Sequence, residues 1–497
     1  MARAKAAPFR LFNLRVLPLF AAGLILGIFC VKLNVWIAAT LLGAMILFVF
    51  LLFKTKSIGK GLALALCLAL LGGYTLAGVT LYCRNSVGIT GDRTLTCRVT
   101  EVTESDDAFS VRADRIHTDG KWVFGGIALE TEESVAVGDR LTVKGEVSIR
   151  TLSLDSFQSA LSYRKGAKYE ITPESLTAEQ GAPPFRYLAR EKVRSLLLAA
   201  QGDRAGAFSY AMLFGDTEYM EDSDKTAMRE VGVAHVVAVS GLHVGVLCAV
   251  ILFLLNKLRV RKKARPFILL PILGFYAYLA GFTPSVLRAS IMALVALTAS
   301  ALGERYDDIS SLSLAAILIL LIRPLYLFDL SFVMSFLAIF GIAALGNPLE
   351  KAFLRHKVPP RLASALALSF ATTLSLIPLS AVVFGRIALA GFALNLIVVP
   401  LASAAFVLNL VALLPTLVFP SFGAVLSLFG YLPELIAEIS VATAALGFAA
   451  NYAFSTVEIL LYYGTIAFTS KYSLSKRSVK LLAAGVGGSV LLILLLV

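Results

Sequence analysis

Long apolar runs recur through this chain, near 16–31, 35–53, 61–82, 233–256, 266–281, 284–302, 310–323, 329–346, 362–383, 387–415, 418–447, 454–470 and 481–497. A helix crosses a bilayer with about 20 consecutive apolar residues. Inside lipid every backbone polar group has to be satisfied within the spanning structure, so such runs fold as helices rather than as open sheet. Charged residues make up 15% of the chain, against roughly 25% in a soluble domain. Too few charges remain to cover a water-facing surface. The expected fold class is a polytopic α-helical membrane protein with about 11–13 transmembrane segments. The basic stretch Arg3 to Arg15 precedes an apolar run, but no cleavage site follows it, so it is not read as a secretory signal.

Basic loops orient such a protein, because Lys and Arg collect on the cytoplasmic side. The clusters are Arg3/Lys5/Arg10/Arg15, Lys54/Lys56/Lys60, Lys257/Arg259/Arg261/Lys262/Lys263/Arg265, Lys351/Arg355/Lys357/Arg361 and Lys471/Lys476/Arg477/Lys480. Between successive clusters lie two, two, four and four apolar runs. Every number is even, so all five clusters fall on one face. This reading makes the N-terminus cytoplasmic and residues 84–232 extracytoplasmic.

That insert has a different texture. Apolar and polar residues alternate over 93–147, as in Leu95-Thr96-Cys97-Arg98-Val99, with turn signals at Thr118-Asp119-Gly120 and Val137-Gly138-Asp139. Short strands of this kind fit an inserted OB-like small β-barrel. OB-folds often bind single-stranded nucleic acid through a basic, aromatic face. Residues 84–185 carry 12 Lys and Arg against 16 Asp and Glu, and that acidity weighs against a general DNA-binding face. Five cysteines are scattered: Cys30, Cys67 and Cys248 lie in apolar runs and read as small buried hydrophobes, while a Cys83–Cys97 disulfide is left open.

From Arg186 the pattern turns helical. Arg186, Arg190, Lys192 and Arg194 interleave with Leu188, Val193 and Leu196, as in an amphipathic helix on the outer membrane surface. Their two candidate contacts are anionic lipid headgroups and an incoming polyanion. The acidic run Asp216, Glu218, Glu221, Asp222 and Asp224 reads as a solvated face. It leads into an apolar helix expected to carry His235, Ser240, Gly241 and His243. Imidazoles in a membrane helix need partners; interhelical hydrogen bonds, phosphate contact and, less favoured, a metal are the open readings. The domain boundaries that follow are 1–83, 84–185, 186–232, 233–480 and 481–497.

In these residues the chain resembles the ComEC competence-protein family. The family's central signature is similar to Ala234-His235-Val236-Val237-Ala238-Val239-Ser240-Gly241-Leu242-His243-Val244-Gly245, preceded by Leu213-Phe214-Gly215-Asp216. Tyr276-Ala277-Tyr278-Leu279-Ala280-Gly281-Phe282-Thr283-Pro284-Ser285-Val286-Leu287-Arg288-Ala289 resembles a second block. Phe328-Asp329-Leu330-Ser331-Phe332, Ser335-Phe336-Leu337-Ala338 and Phe384-Gly385-Arg386, followed by Asn395 and Pro400, resemble later ones.

The resemblance implies a bacterial cell-membrane channel for single-stranded DNA in natural transformation. It also implies an outside DNA receptor, a separate nuclease and a cytoplasmic helicase or ATPase motor. The metallo-β-lactamase-like domain of longer members needs a dense His/Asp cluster. This chain has only His117, His235, His243 and His356, so no nuclease, cofactor or metal is expected.

Channel lining or helix coupling is expected at His235, Ser240, Gly241, His243, Arg288, Asp329, Arg386 and Asn395. Arg288 lies just inside a helix opened by Thr283-Pro284, with Asp329 as candidate ion-pair partner. Arg386 also fits snorkelling, and Asn395 before Pro400 marks an expected broken helix. Competing readings are an intramembrane hydrolase with Ser240 as nucleophile and His243 or His235 as base, and a small-solute transporter. Against the hydrolase, Ala238 stands where a GxSG elbow needs Gly.

Overall fold

The computed structural model describes residues 16–470 except 34, 55–59, 106–107, 153–165, 389, 448, 451 and 453. The basic residues Arg3 to Arg15, Lys56, the Lys471 to Lys480 cluster and the 481–497 run lie outside the described residues. The chain divides into two units, one built from the residues up to 18, 193–316 and those from 334 onward, the other from 19–192 with 317–333.

In the second unit three helices come first: α1 (Val16–Cys30), α2 (Val35–Lys54) and α3 (Lys60–Ser86). Small residues let α1 and α3 touch through their backbones. A side chain at Gly27 would collide with the Leu70 carbonyl, and one at Gly73 with the Leu24 carbonyl.

Six strands follow: β1 (Gly91–Ser105), β2 (Ala108–Thr118), β3 (Lys121–Val123), β4 (Gly126–Thr131), β5 (Arg140–Ile149) and β6 (Ala167–Glu179). β1 pairs with both β2 and β5, β5 with β6, β6 with β4, and β4 with β2, which closes a five-stranded barrel. Only the β4–β6 pairing is parallel. That circuit is OB-like, with β3 folded back on β2 as an extra hairpin arm. The alternation seen in the sequence is the cause: Leu95, Cys97 and Val99 point inward to meet Val111, Leu141 and Val143. Asp119 and Gly120 both have positive φ (49° and 75°), as a tight two-residue hairpin requires. All five cysteines are free; Cys97 is buried in the barrel and Cys83 is exposed at the end of α3.

The barrel is bolted to α3. The Arg84 guanidinium donates to the Ala167 carbonyl. Asn85 brackets Leu152, accepting from its N–H at 2.9 Å and donating to its carbonyl at 3.3 Å. Lys168 Nζ donates to the carbonyls of Cys83 (3.1 Å) and Val87 (2.5 Å).

The first unit contains α4 (Phe185–Gln201) from Val193 onward, then α5 (Asp203–Phe214), α6 (Asp222–Glu230), α7 (Gly241–Lys257), α8 (Arg265–Leu279), α9 (Pro284–Leu302) and most of α10 (Asp308–Ile322). After α11 (Leu330–Arg355) come α12 (Pro360–Phe384), α13 (Gly391–Val418), α14 (Gly423–Leu428), α15 (Tyr431–Ala444) and α16 (Thr456–Thr469). Its core gathers Phe208, Met212, Met228, Val244, Phe406 and Leu426. Short strands β7 (Ile387–Ala388) and β8 (Ala449–Ala450) pair antiparallel.

Among the described residues six helical segments are long and apolar enough to cross a membrane: Gly61–Ser86, Pro284–Leu302, Leu330–Arg355, Pro360–Phe384, Gly391–Val418 and Pro420–Ala444. Five shorter apolar helices accompany them, including Val16–Cys30 and Gly241–Lys257. The protein is therefore a multi-pass helical membrane protein carrying an OB-like barrel.

Two sequence expectations need correction. The chain does not break before Pro400: α13 runs through Pro400 and Pro415 as one helix. Each proline removes one N–H donor, leaving the carbonyls of Leu396 and Val411 without their helical partner, and a membrane helix tolerates this where neighbouring helices pack around it. Nor does His235 share a helix with His243. It sits in a short 3₁₀ turn, Ala234–Val236, and Ser240 is the N-cap from which α7 starts.

Candidate functional site

The motif blocks recognised along the sequence come together in space. Gly215 ends α5 in the left-handed conformation (φ 72°). A Cβ there would lie 2.8 Å from Val239 Cγ2, so the Leu213–Asp216 block packs on the segment leading into α7. Tyr276 of α8 donates its hydroxyl to the Leu213 carbonyl at 3.1 Å. The second block therefore contacts the first.

Arg288 of α9 joins two further blocks. It is 5% exposed. Its Nε donates to Ser335 Oγ of α11 at 2.8 Å, and Nη1 reaches Met292 Sδ at 3.8 Å. Nη2 lies over the first residue of α7: any Cβ on Gly241 would run into it. Neither hydrogen-bonding partner is a carboxylate. Asp329 caps α11, its Oδ1 accepting from the Ser331 N–H at 2.8 Å.

Electrostatically this is an unusual place for a guanidinium. A helix N-terminus carries about half a positive charge, and a desolvated cation without a counter-ion costs several kcal/mol. Both features put positive potential at the start of α7. At that helix start itself, Ser240 Oγ and His243 Nε2 are buried without a hydrogen-bond partner. His243 is fully buried, stacks on Phe406 at 4.7 Å, and accepts at Nδ1 from the Ser240 N–H at 3.4 Å. Donors in excess of acceptors, together with positive charge, suit an anionic oxygen.

Arg386 and Asn395 belong to a second neighbourhood. Arg386 pairs with Glu230 at 2.6 Å rather than snorkelling freely. Gly391, at the start of α13, lies against the Val231 carbonyl and Asn395 Nδ2. Asn395 Oδ1 is buried without a partner. His235, bonded to the Gly232 backbone, belongs to the same loop. The His235 side chain is exposed.

Of the surface cations on α4, Arg194 lies over the Tyr219 ring at 4.4 Å. Arg186 and Arg190 are half-buried and Lys192 is exposed. Asp224, expected to be solvated, is instead buried and held by Arg204 through two bonds of 2.7 and 2.9 Å. Two groups escaped the sequence reading. Ser335 lay within a recognised block without a role. Gln201, Ser209 and Asn409 form a closed buried polar network of 2.6, 2.7 and 3.2 Å bonds. Among the described residues no three of His, Cys, Asp and Glu gather as a metal site.

A family model described as competence protein matches residues 212–475, the stretch that holds both neighbourhoods. ComE operon protein 3 of Bacillus subtilis (strain 168) is 29% identical over 242 residues, taking in 47% of this chain and 30% of that protein. Recombination protein 2 of Haemophilus influenzae (strain ATCC 51907 / DSM 11121 / KW20 / Rd) is 25% identical over 230 residues, 44% of this chain and 29% of that protein. The chain thus covers less than a third of the length of either relative. No solved structure matches it.

Proposed function

The chain belongs to the competence-protein family, as its ordered motif blocks indicated, and on that premise we propose that it is a membrane conduit passing single-stranded DNA into the cell during natural transformation. Arg288 is the observation that carries this reading. A DNA strand brings one negative charge per nucleotide into a region that repels charge. A conduit for it needs buried donors that its own protein leaves unsatisfied, and a low-dielectric wall strengthens each contact. Arg288, the α7 N-terminus, Ser240 and His243 form such a set. A passing phosphodiester oxygen would take the place of the missing counter-ion.

The even number of apolar runs between successive basic clusters supports a cytoplasmic N-terminus, with residues 84–232 outside a bacterial inner or plasma membrane. A cytoplasmic motor, an outside DNA receptor and a nuclease are the partners that complete the proposal.

The hydrolase reading is less well supported. A serine nucleophile hands its hydroxyl proton to the base. Here the Ser240 backbone N–H faces His243 Nδ1, and the Ser240 hydroxyl has no partner. The test is transfer of fluorescent DNA into cells with and without the gene. Loss of internalised DNA, with surface-bound DNA retained and the defect complemented, supports the conduit. Unchanged uptake in demonstrably competent cells rejects it.

A further inference from the structure

The β3 arm of the barrel ends in two exposed aromatic side chains with no part in the conduit: Trp122 at 69% and Phe124 at 92% exposure. Lys121 beside them is also exposed. The arm is built firmly. Its hairpin turn has the required backbone, β3 pairs with β2 from Ile116 to Thr118, and the His117 ring meets Trp122 edge-on at 5.3 Å. A fixed arm holding two large aromatics in the open invites a partner.

The fold says where that arm stands. Gly125, next to Phe124, is pressed against Lys168: a Cβ on it would lie 2.9 Å from Lys168 Cβ. The same lysine reaches the carbonyls of Cys83 and Val87 at the end of α3. Gly125, the residue after Phe124, is therefore about one lysine side chain from the end of a membrane-crossing helix. A hydrocarbon core of about 30 Å is crossed by about 20 helical residues. Counted from Gly61, the apolar crossing ends near residue 80, and Tyr82 to Ser86 occupy the headgroup layer. Tyr82, 65% exposed, is a residue type that favours that layer.

We propose that Trp122 and Phe124 insert into the lipid headgroup layer, with Lys121 set to meet headgroup phosphate, and so hold the barrel on the membrane surface. Trp and Tyr are enriched at this depth because an amphipathic ring suits a boundary that is apolar on one side and wet on the other. The arm and the end of α3 then form two anchors at one level.

The chain has two tryptophans, so Trp36→Phe leaves Trp122 as the sole reporter in the full-length protein. In nanodiscs containing brominated phosphatidylcholine, Trp122 emission should be lost more with bromine near the headgroup than at the chain end. It should be blue-shifted relative to free tryptophan and unchanged by added oligonucleotide. Water-like emission insensitive to bromine overturns the proposal. Quenching by single-stranded oligonucleotide but not by bromolipid overturns it too, and makes the arm a base-stacking platform. If Trp36→Phe fails to fold, benzoylphenylalanine at position 124 of the otherwise natural chain gives a second readout. A photo-adduct with lipid supports the anchor; an adduct with DNA, or none, rejects it.

Discussion

Replacing Arg288 by methionine separates structural from functional burial. The Ser335 bond at 2.8 Å is charge-assisted, and losing it costs about 1.5–3 kcal/mol. Against this stands the guanidinium itself, 5% exposed with a hydroxyl and a thioether as partners. Relief of its desolvation returns an amount of the same order, several kcal/mol at most. Methionine keeps most of the volume, so repacking adds less than about 1.5 kcal/mol. We predict a variant whose stability in detergent lies within about 1 kcal/mol of the parent, from terms that nearly cancel.

DNA transfer should fare differently. A lost charge-assisted phosphate contact of about 1.5–3 kcal/mol corresponds to a fall of about tenfold to a hundredfold. Thermal unfolding and uptake, normalised to folded protein in the membrane, are measured on the same preparations. Arg288→Ala serves as the contrast, since its cavity should cost about 2–5 kcal/mol. Destabilisation of the methionine variant by more than about 3 kcal/mol, with uptake falling only in step with protein level, would refute the reasoning. Arg288 would then be a helix tie.

Two further outcomes are expected. Asp224→Asn strips the buried anion from a bidentate pair whose arginine side chain is 35% exposed, so solvent softens the loss to about 1–3 kcal/mol; an unchanged melting temperature would show that α5 and α6 do not depend on the pair. Burial, with the Asp114 carboxylate adding to it, pushes the Cys97 thiol up to about 12, so at pH 8 it stays protonated and shielded; an impermeant maleimide should modify exposed Cys83 in the native protein and Cys97 only after denaturation. Equal native labelling of both would mean that the barrel is open.

Legibility in the sequence followed locality. Apolar runs announced the helices, because lipid leaves a spanning chain few alternatives. The alternation around Leu95, Cys97 and Val99 announced the barrel's inward face. Readings that leaned on long-range events were weaker. His235 and His243 were spaced as if on one helix, but Ser240 supplies an N-cap between them and the helix starts there. Pro400 carried a local signal for a break that surrounding helices overrode. The Gln201–Ser209–Asn409 network joins residues about two hundred positions apart, which no periodicity records. Ser335 looked like one more small residue in an apolar helix until Arg288 was seen to lean on it. The motif blocks were legible individually; that several of them converge on the start of α7 was not.

The backbone contact between α1 and α3 reaches beyond those two helices. Where Gly27 and Gly73 meet opposing carbonyls there are no rotamers to freeze or release, so the crossing has little side-chain slack. Only residues 87–90 separate α3 from the first strand, and Arg84, Asn85 and Lys168 stiffen that short passage. The barrel is mounted, not tethered. It sweeps out no search volume as a domain on a flexible leash would, and whatever it recognises must travel to a fixed address.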